Sequence, residues 1–324
     1  MPFCWGASSD SLVSHWAYVT PEHPNFSRID NPNPIDHFIS ERLRKDGMRL
    51  SRLAKPEKQL RRVYLDLIGR PPQPGESQSF LSNSSDLEYN STVDRLLASP
   101  QYGEKWARRW LDLARYADSN GFQADQLRDS WAYRDWVIES FNSGMPLDRF
   151  TVEQLAGDLL PQSTISQKIA TGFHRTPACN VEAGVHPESN RINQVIDRVN
   201  TTGTVFLGTT FECAQCHDHK YDPISMKEYY QLFAFFNNTP LEVKNTSGVT
   251  WDFYGPKMDL PLSASKLGQI NSLKDDLKAC ELEKKSIKRS LGIEQKEWEN
   301  KILHTLKNAP KWEVFDVGTF SATG

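Results

Sequence analysis

VDRLLASPQYGEKWARRWLDLARYAD, residues 93–118, is the stretch on which the fold class turns. Val93, Leu96 and Leu97 continue an apolar stripe that begins at Tyr89, and Pro100 forbids that helix from running on. Past the proline, Trp106, Trp110, Leu113 and Ala117 recur at steps of four, three and four, the spacing that keeps side chains on one face of a helix. The pattern predicts two helices in succession, over 86–98 and 103–118.

The same grammar extends in both directions. Asn33-Pro34 opens a helix with a cap followed by proline, Ile35, Phe38, Ile39 and Leu43 share a face, and Gly47 can end it. Pro56 starts the next, with Leu60, Tyr64 and Leu67 as its stripe, Gly69 as its stop, and Pro71 and Pro72 beyond. Further stripes run through Trp136, Val137 and Phe141, through Phe150, Leu155 and Leu159, and through Ile192, Val195, Ile196 and Val199. Period-two alternation is scarce before residue 240. The one β-rich run, TTGTVFLGTT at 201–210, reads either as a short strand or as the end of the preceding helix. The fold class is therefore mainly α, an irregular multi-helix domain with long loops over residues 34–240.

The flanks differ in texture. Residues 1–33 form an extended lead-in broken by Pro21, Pro24 and Pro32, and residues 241–264 read as a loop or linker with scattered aromatics. Residues 265–308 are rich in Lys and Glu, with Leu267, Ile270, Leu273, Leu277, Ile287, Leu291, Trp298 and Ile302 at roughly helical steps. That predicts an exposed amphipathic helix, or a helical hairpin broken near Gly292; the heptads are too irregular for a coiled coil. Residues 309–324 read as the start of a further, truncated β region.

Bulk properties exclude several classes. A length of 324 residues suits one large domain or two modest ones, and a net charge of −3 without a basic run argues against nucleic-acid binding. No stretch approaches the roughly 20 apolar residues of a membrane span. Residues 1–13 supply neither the basic nor the apolar region of a signal peptide, so the expectation is a cytoplasmic chain or one whose true start lies upstream. Three of the five cysteines, Cys4, Cys179 and Cys280, stand alone, which is no disulfide scaffold. Nucleophile-elbow, P-loop and dinucleotide fingerprints are absent.

One short segment concentrates reactive side chains. FECAQCHDHKYDPIS, residues 211–225, holds two cysteines, two histidines and two aspartates. Cys213-Ala-Gln-Cys216-His217 is the C-x-x-C-H pattern of c-type haem attachment, in which the two thiols bind the porphyrin and the adjacent imidazole is the proximal iron ligand. Zinc is the alternative cofactor; it needs four ligands, and only one cysteine pair is present, with His219 and a distant Cys179 or His174 to complete the set. A dithiol redox pair, a disulfide or ordinary buried thiols are the remaining readings. His174, His186 and Met258 are the distal-ligand candidates, whereas Met226 and His219 follow His217 too closely to cross the iron. Arg175, Arg191 and Arg198 are potential propionate partners. The loop 180–190, with Glu182, His186 and Glu188, offers a substrate or metal edge but reads more simply as a solvated connection. Ser225-Met-Lys-Glu228 is a capping box that predicts a helix carrying Tyr229, Tyr230, Leu232, Phe233 and Phe236, either a wall for a porphyrin or plain core.

Longer stretches carry a family resemblance: NPIDHFISERL, LRRVYLDLIGRPP, VDRLLASPQYGEKWARRWLDLARYAD, YRDWVIESFN, DRFTVEQLAGDLLP, IATGFHRT, DRVNTTGTVFLGTTFECAQCHDHKYDPIS and YYQLFAFFNNT. Over about residues 15–240 the chain resembles the first of two domains of unknown function that follow the cytochrome C domain in large planctomycete-type proteins. The resemblance implies export to the periplasm or cell surface. It also implies haem c on Cys213, Cys216 and His217, and an electron donor or acceptor such as the upstream cytochrome domain, which this chain lacks. The expected function is an electron-transfer protein or haem-dependent oxidoreductase of unknown substrate, with a guessed link to carbohydrate. The alternative is a non-redox structural or binding module of a cell-surface protein, with zinc or a disulfide at the same cysteines.

Overall fold

Prolines punctuate this chain, and five of the helices among its described residues begin on one. The computed structural model describes residues 19–22, 33–122, 125–178, 180, 186–239, 258–262, 264–311, 313 and 318. Helices α1 (Pro34–Lys45), α2 (Pro56–Ile68), α3 (Pro74–Ser82), α5 (Pro100–Leu113) and α9 (Pro187–Thr202) each start with proline. There the missing N–H would have had no helical partner and the fixed φ already suits the helix. Between and after them come α4 (Asp86–Leu97), α6 (Trp131–Asn142), α7 (Leu147–Ala156), α8 (Ile165–Ala170), α10 (Met226–Asn237) and α11 (Ala264–Lys307). No strand occurs among the described residues, which bears out the mainly α class.

The deciding stretch folds as two helices, with a shift. Ser99 caps α5, its hydroxyl accepting from the Gln101 N–H at 3.4 Å, so the helix begins three residues before the expected position. It ends at Leu113 instead of running to 118, because Arg115 turns left-handed (φ 58) and the Tyr116 N–H returns to the Leu111 carbonyl at 2.9 Å. The buried face is consequently Gly103, Ala107 and Leu111, and Leu113 points outward at 51% exposure.

Met1–Lys257 and Met258–Gly324 are separate compact units. Among its described residues the first contains three apolar clusters. Leu60, Val63, Tyr64, Ile68, Phe80 and Leu96 join α2, α3 and α4. Ala107, Leu111, Tyr133, Trp136, Val137, Phe150, Ala170 and Phe173 join α5 to α8 and the tight turn Thr171–Arg175 that follows. In that cluster the buried Gln154 carbonyl oxygen accepts from Trp110 Nε1 at 2.8 Å and the Tyr133 hydroxyl at 2.7 Å, so the polar groups among the rings are paired. The third cluster, Val195, Val199, Phe211, Ala214, Tyr229 and Phe236, joins α9 to α10 and seats the start of the C-x-x-C-H segment. The predicted stripe of α1 is not buried: Ile35 is 68% exposed, and Phe38 and Ile39 are also exposed.

TTGTVFLGTT resolves in favour of the helix. Its first two residues end α9, and Gly203–Leu207 widens into a π-turn closed by Gly208 at φ 64. In the second unit α11 runs 44 residues without a break at Gly292 and buries none of them, so a single helix about 66 Å long replaces the hairpin alternative. Most of the expected β region lies outside the described residues, and Lys311, Glu313 and Gly318 have no regular structure. Among the described residues no helix is long and apolar enough to cross a membrane.

Candidate functional site

The C-x-x-C-H pentapeptide sits on a short turn pinned from below. Phe211 anchors its start in the third cluster, and its ring lies so close to Gly203 that a Cβ there would fall 2.6 Å from it. Glu212–Gln215 then form one turn of 3₁₀ helix, with the Ala214 N–H on the Phe211 carbonyl at 2.9 Å and the Cys216 N–H on that of Cys213 at 3.4 Å. Three residues per turn eclipses positions i and i+3. Ala214, fully buried, points into the cluster, and Cys213 and Cys216 are left together on the outer side as exposed free thiols. Tyr230 of α10 fixes the turn from the side, donating its hydroxyl to the Gln215 carbonyl at 3.0 Å.

The two histidines have opposite roles. His217 is exposed, and its Nδ1 lies 2.8 Å from the Asp218 carbonyl. A carbonyl only accepts, so Nδ1 carries the proton and Nε2 keeps its lone pair, the tautomer in which an imidazole binds a metal. The Asp218 carboxylate in turn accepts from the Met226 N–H at 2.8 Å, tying His217's neighbour to the first turn of α10. His219 is buried, and its Nδ1 accepts from the N–H groups of Asp222 at 2.9 Å and Tyr221 at 3.3 Å. It clamps the 219–224 turn, with its own N–H on the Ile224 carbonyl at 2.8 Å.

Helix α10 begins with the predicted capping box: the Ser225 hydroxyl accepts from the Glu228 N–H, and the Glu228 carboxylate accepts from the Ser225 N–H at 2.8 Å. Those hydrogen bonds hold the Glu228 carboxyl below its usual range. Tyr229 and Phe236 turn inward, so part of the aromatic set is core, while Met226 and Tyr230, one turn apart, are exposed beside the cysteine turn. Burial pushes the Tyr229 hydroxyl up to about 12, with the Tyr230, Glu212 and Cys216 charges adding to it. That hydroxyl is buried without a hydrogen-bond partner among the described residues.

The remaining candidates lie elsewhere. His174 packs against Phe236 near the far end of α10, with ring centroids 5.0 Å apart, and its Nε2 donates to the Leu155 carbonyl at 3.2 Å. Burial, then the Arg198 charge, lower it to about 3, so the ring is neutral. His186 is the N-cap of α9 and accepts from the Ser189 N–H at 3.3 Å. Arg191 pairs with Glu188 at 2.8 Å and bonds the Asn237 side chain at 2.7 Å, which ties α9 to α10. Arg198 donates to the His174 carbonyl at 3.0 Å, and Met258 is exposed in the second unit. Cys179 and Glu182 lie outside the described residues. No three His, Cys, Asp or Glu side chains among the described residues come together as a metal site. Sequence reasoning named Tyr230 only as a possible porphyrin wall or core ring, and it missed Gly203 and Asp218, whose roles depend on neighbours that only the fold supplies.

The described fold and this turn together define a helical domain built around an exposed C-x-x-C-H segment. The chain belongs to the family PSCyt2, described as protein of unknown function (DUF1549), which matches residues 34–240, from the first residue of α1 to just past α10. This is the domain of unknown function found with planctomycete cytochrome c domains. No curated protein and no solved structure matches the chain.

Proposed function

We propose that the turn at 213–217 is a covalent haem c attachment site and that the domain is an extracytoplasmic electron-transfer module. The observation that carries this reading is the disposition of three groups. Cys213 and Cys216 share the exposed side of one tight turn, and His217 beside them is held in the Nε2-free tautomer by the Asp218 carbonyl. The exposed Met226 and Tyr230 offer apolar surface next to the thiols, as a porphyrin edge requires.

In this reading Cys213 and Cys216 would hold the porphyrin covalently, each through a thioether made by adding its S–H across a vinyl group, which consumes no oxidant. His217 Nε2 would ligate the iron, and the Asp218 carbonyl holds its ring in the tautomer for that role. Bound haem would supply one-electron transfer at iron. Haem c is attached outside the bacterial cytoplasm, so on this reading the working protein would lie in the periplasm or at the cell surface. The family's company suggests a cytochrome c domain as electron donor or acceptor.

Zinc on Cys213, Cys216 and His219 has weaker support, because His219 Nδ1 already accepts two backbone amides. Expression in a periplasm with haem-maturation machinery, followed by a haem-stained denaturing gel, tests the proposal. A stained band that disappears in Cys213→Ala/Cys216→Ala supports it; a colourless protein with stoichiometric zinc, or with a 213–216 disulfide, overturns it.

A further inference from the structure

Helix α11 carries a narrow apolar stripe on a helix that buries none of its 44 residues. Leu273, Leu277, Cys280, Ile287, Leu291 and Trp298 fall within about 80° of arc at 3.6 residues per turn. Each is exposed, Trp298 to 62%. The positions follow a seven-residue repeat in two sets offset by three: 270, 277, 284, 291 and 298, then 273, 280, 287, 294 and 301. Charged residues interrupt it at Lys284, Glu294 and Lys301, which is why the repeat looks irregular along a single chain.

The interruptions become complementary against a second copy laid antiparallel. Reversal sets each position of one set against a position of the other. The register that puts Lys284 against Glu294 of the second copy also fixes the layers on either side. Ile287 then faces Leu291, and Cys280, the smallest side chain of the stripe, faces Trp298, the largest. The two-fold axis repeats each of these layers. Leu277 falls against Lys301, whose aliphatic stem can cover it while the ammonium reaches water. The overlap runs over residues 271–307 of each copy, about 55 Å of helix.

A parallel, in-register pair is disfavoured at the same positions. There Lys284 meets Lys284, Glu294 meets Glu294, and two Trp298 rings compete for one layer. In the antiparallel register the like charges that do meet, Lys288 with its copy and Glu283 with Glu297, lie at the rim, where water and salt screen them. The Lys284–Glu294 pair selects the orientation more than it adds affinity, which comes from covering the apolar layers.

We propose that α11 is a homodimerisation helix that pairs antiparallel with α11 of a second copy of this chain. The pairing concerns the second unit and stands whether or not haem is attached.

The test is sedimentation equilibrium of the whole chain at micromolar concentrations, for wild type and three variants. Wild type should dimerise reversibly. Lys284→Glu brings two carboxylates together in each of two layers, and Glu294→Lys brings two ammonium groups together there. Each should raise the dimer dissociation constant at least tenfold. Lys284→Glu/Glu294→Lys restores opposite charges in the antiparallel register and should recover the wild-type affinity. In a parallel dimer like charges face each other in every one of these proteins, so none of the substitutions would change the affinity. A chain that stays monomeric, a dimer whose affinity no variant alters, or a double variant no tighter than the singles overturns the proposal.

Discussion

Lowering the pH from 7 to 5 should destabilise the first unit by about 2 kcal/mol through His174 alone. The folded ring is held down to about 3, first by burial and then by the Arg198 charge, with Arg115 a smaller contributor. An unfolded histidine titrates near 6.5, so below that pH the unfolded chain binds a proton that the folded one refuses. The folded pKa lies below the unfolded one; stability is therefore full above about pH 6.5 and falls as pH drops toward 3. Between pH 7 and 5 the unfolded ring goes from mostly neutral to almost fully charged while the folded ring stays neutral, which gives the figure of about 2 kcal/mol. The geometry agrees with a neutral ring: Nε2 donates to Leu155, Nδ1 is shielded, and Phe173 and Phe236 flank it. Urea unfolding of wild type and His174→Gln at both pH values is the assay. The variant should lose about 2 kcal/mol less than wild type between pH 7 and 5. Equal losses in the two proteins would show that His174 titrates freely when folded, and the reasoning would fail.

Three further outcomes follow from the same geometry. Gly203→Ala places a Cβ 2.6 Å from the Phe211 ring, and denaturant unfolding should show a loss of about 1–3 kcal/mol, whereas Gly268→Ala, with nothing within 4 Å, should be neutral or stabilising. Tyr229→Phe removes a buried hydroxyl that has no partner, so its unfolding midpoint should hold or rise, by up to about 1 kcal/mol of stability; a comparable loss would mean that the hydroxyl is bonded in the folded protein. Glu76, held at about 2 mainly by its hydrogen bond from Arg70, contributes stability that is present above the ordinary carboxylate range near 4.3 and lost as pH falls toward 2. The fall in Tm between pH 4.5 and 2.5 should accordingly be blunted in Glu76→Gln.

Helix existence was legible because its signals are local. Asn33-Pro34, Pro56 with Gly69, and the Ser225–Glu228 box each satisfy end groups within four residues or stop the chain by sterics, and each stands where the sequence puts it. The end of α5 was not legible, since it depends on Arg115 adopting a conformation usually left to glycine. Nor was the exposed face of α1, because periodicity reports which residues share a side and not whether anything covers it. At the site the pentapeptide named Cys213, Cys216 and His217, and the fold shows how they are presented: Ala214 inward, the thiols outward, the imidazole on Asp218. The split between His217 and His219 rests on backbone donors and acceptors that a spacing does not encode. Arg115 and Arg198 come from separate stretches to act on His174, a convergence that no linear motif announces.

The most direct test of the attachment site is the intact mass, under denaturing conditions, of the chain purified from a host equipped to mature haem c. Haem held by Cys213 and Cys216 adds the mass of one haem to wild type, and this increment is absent in Cys213→Ala/Cys216→Ala. A wild-type mass equal to that of the bare polypeptide, from a host that attaches haem to a control cytochrome, would contradict the account.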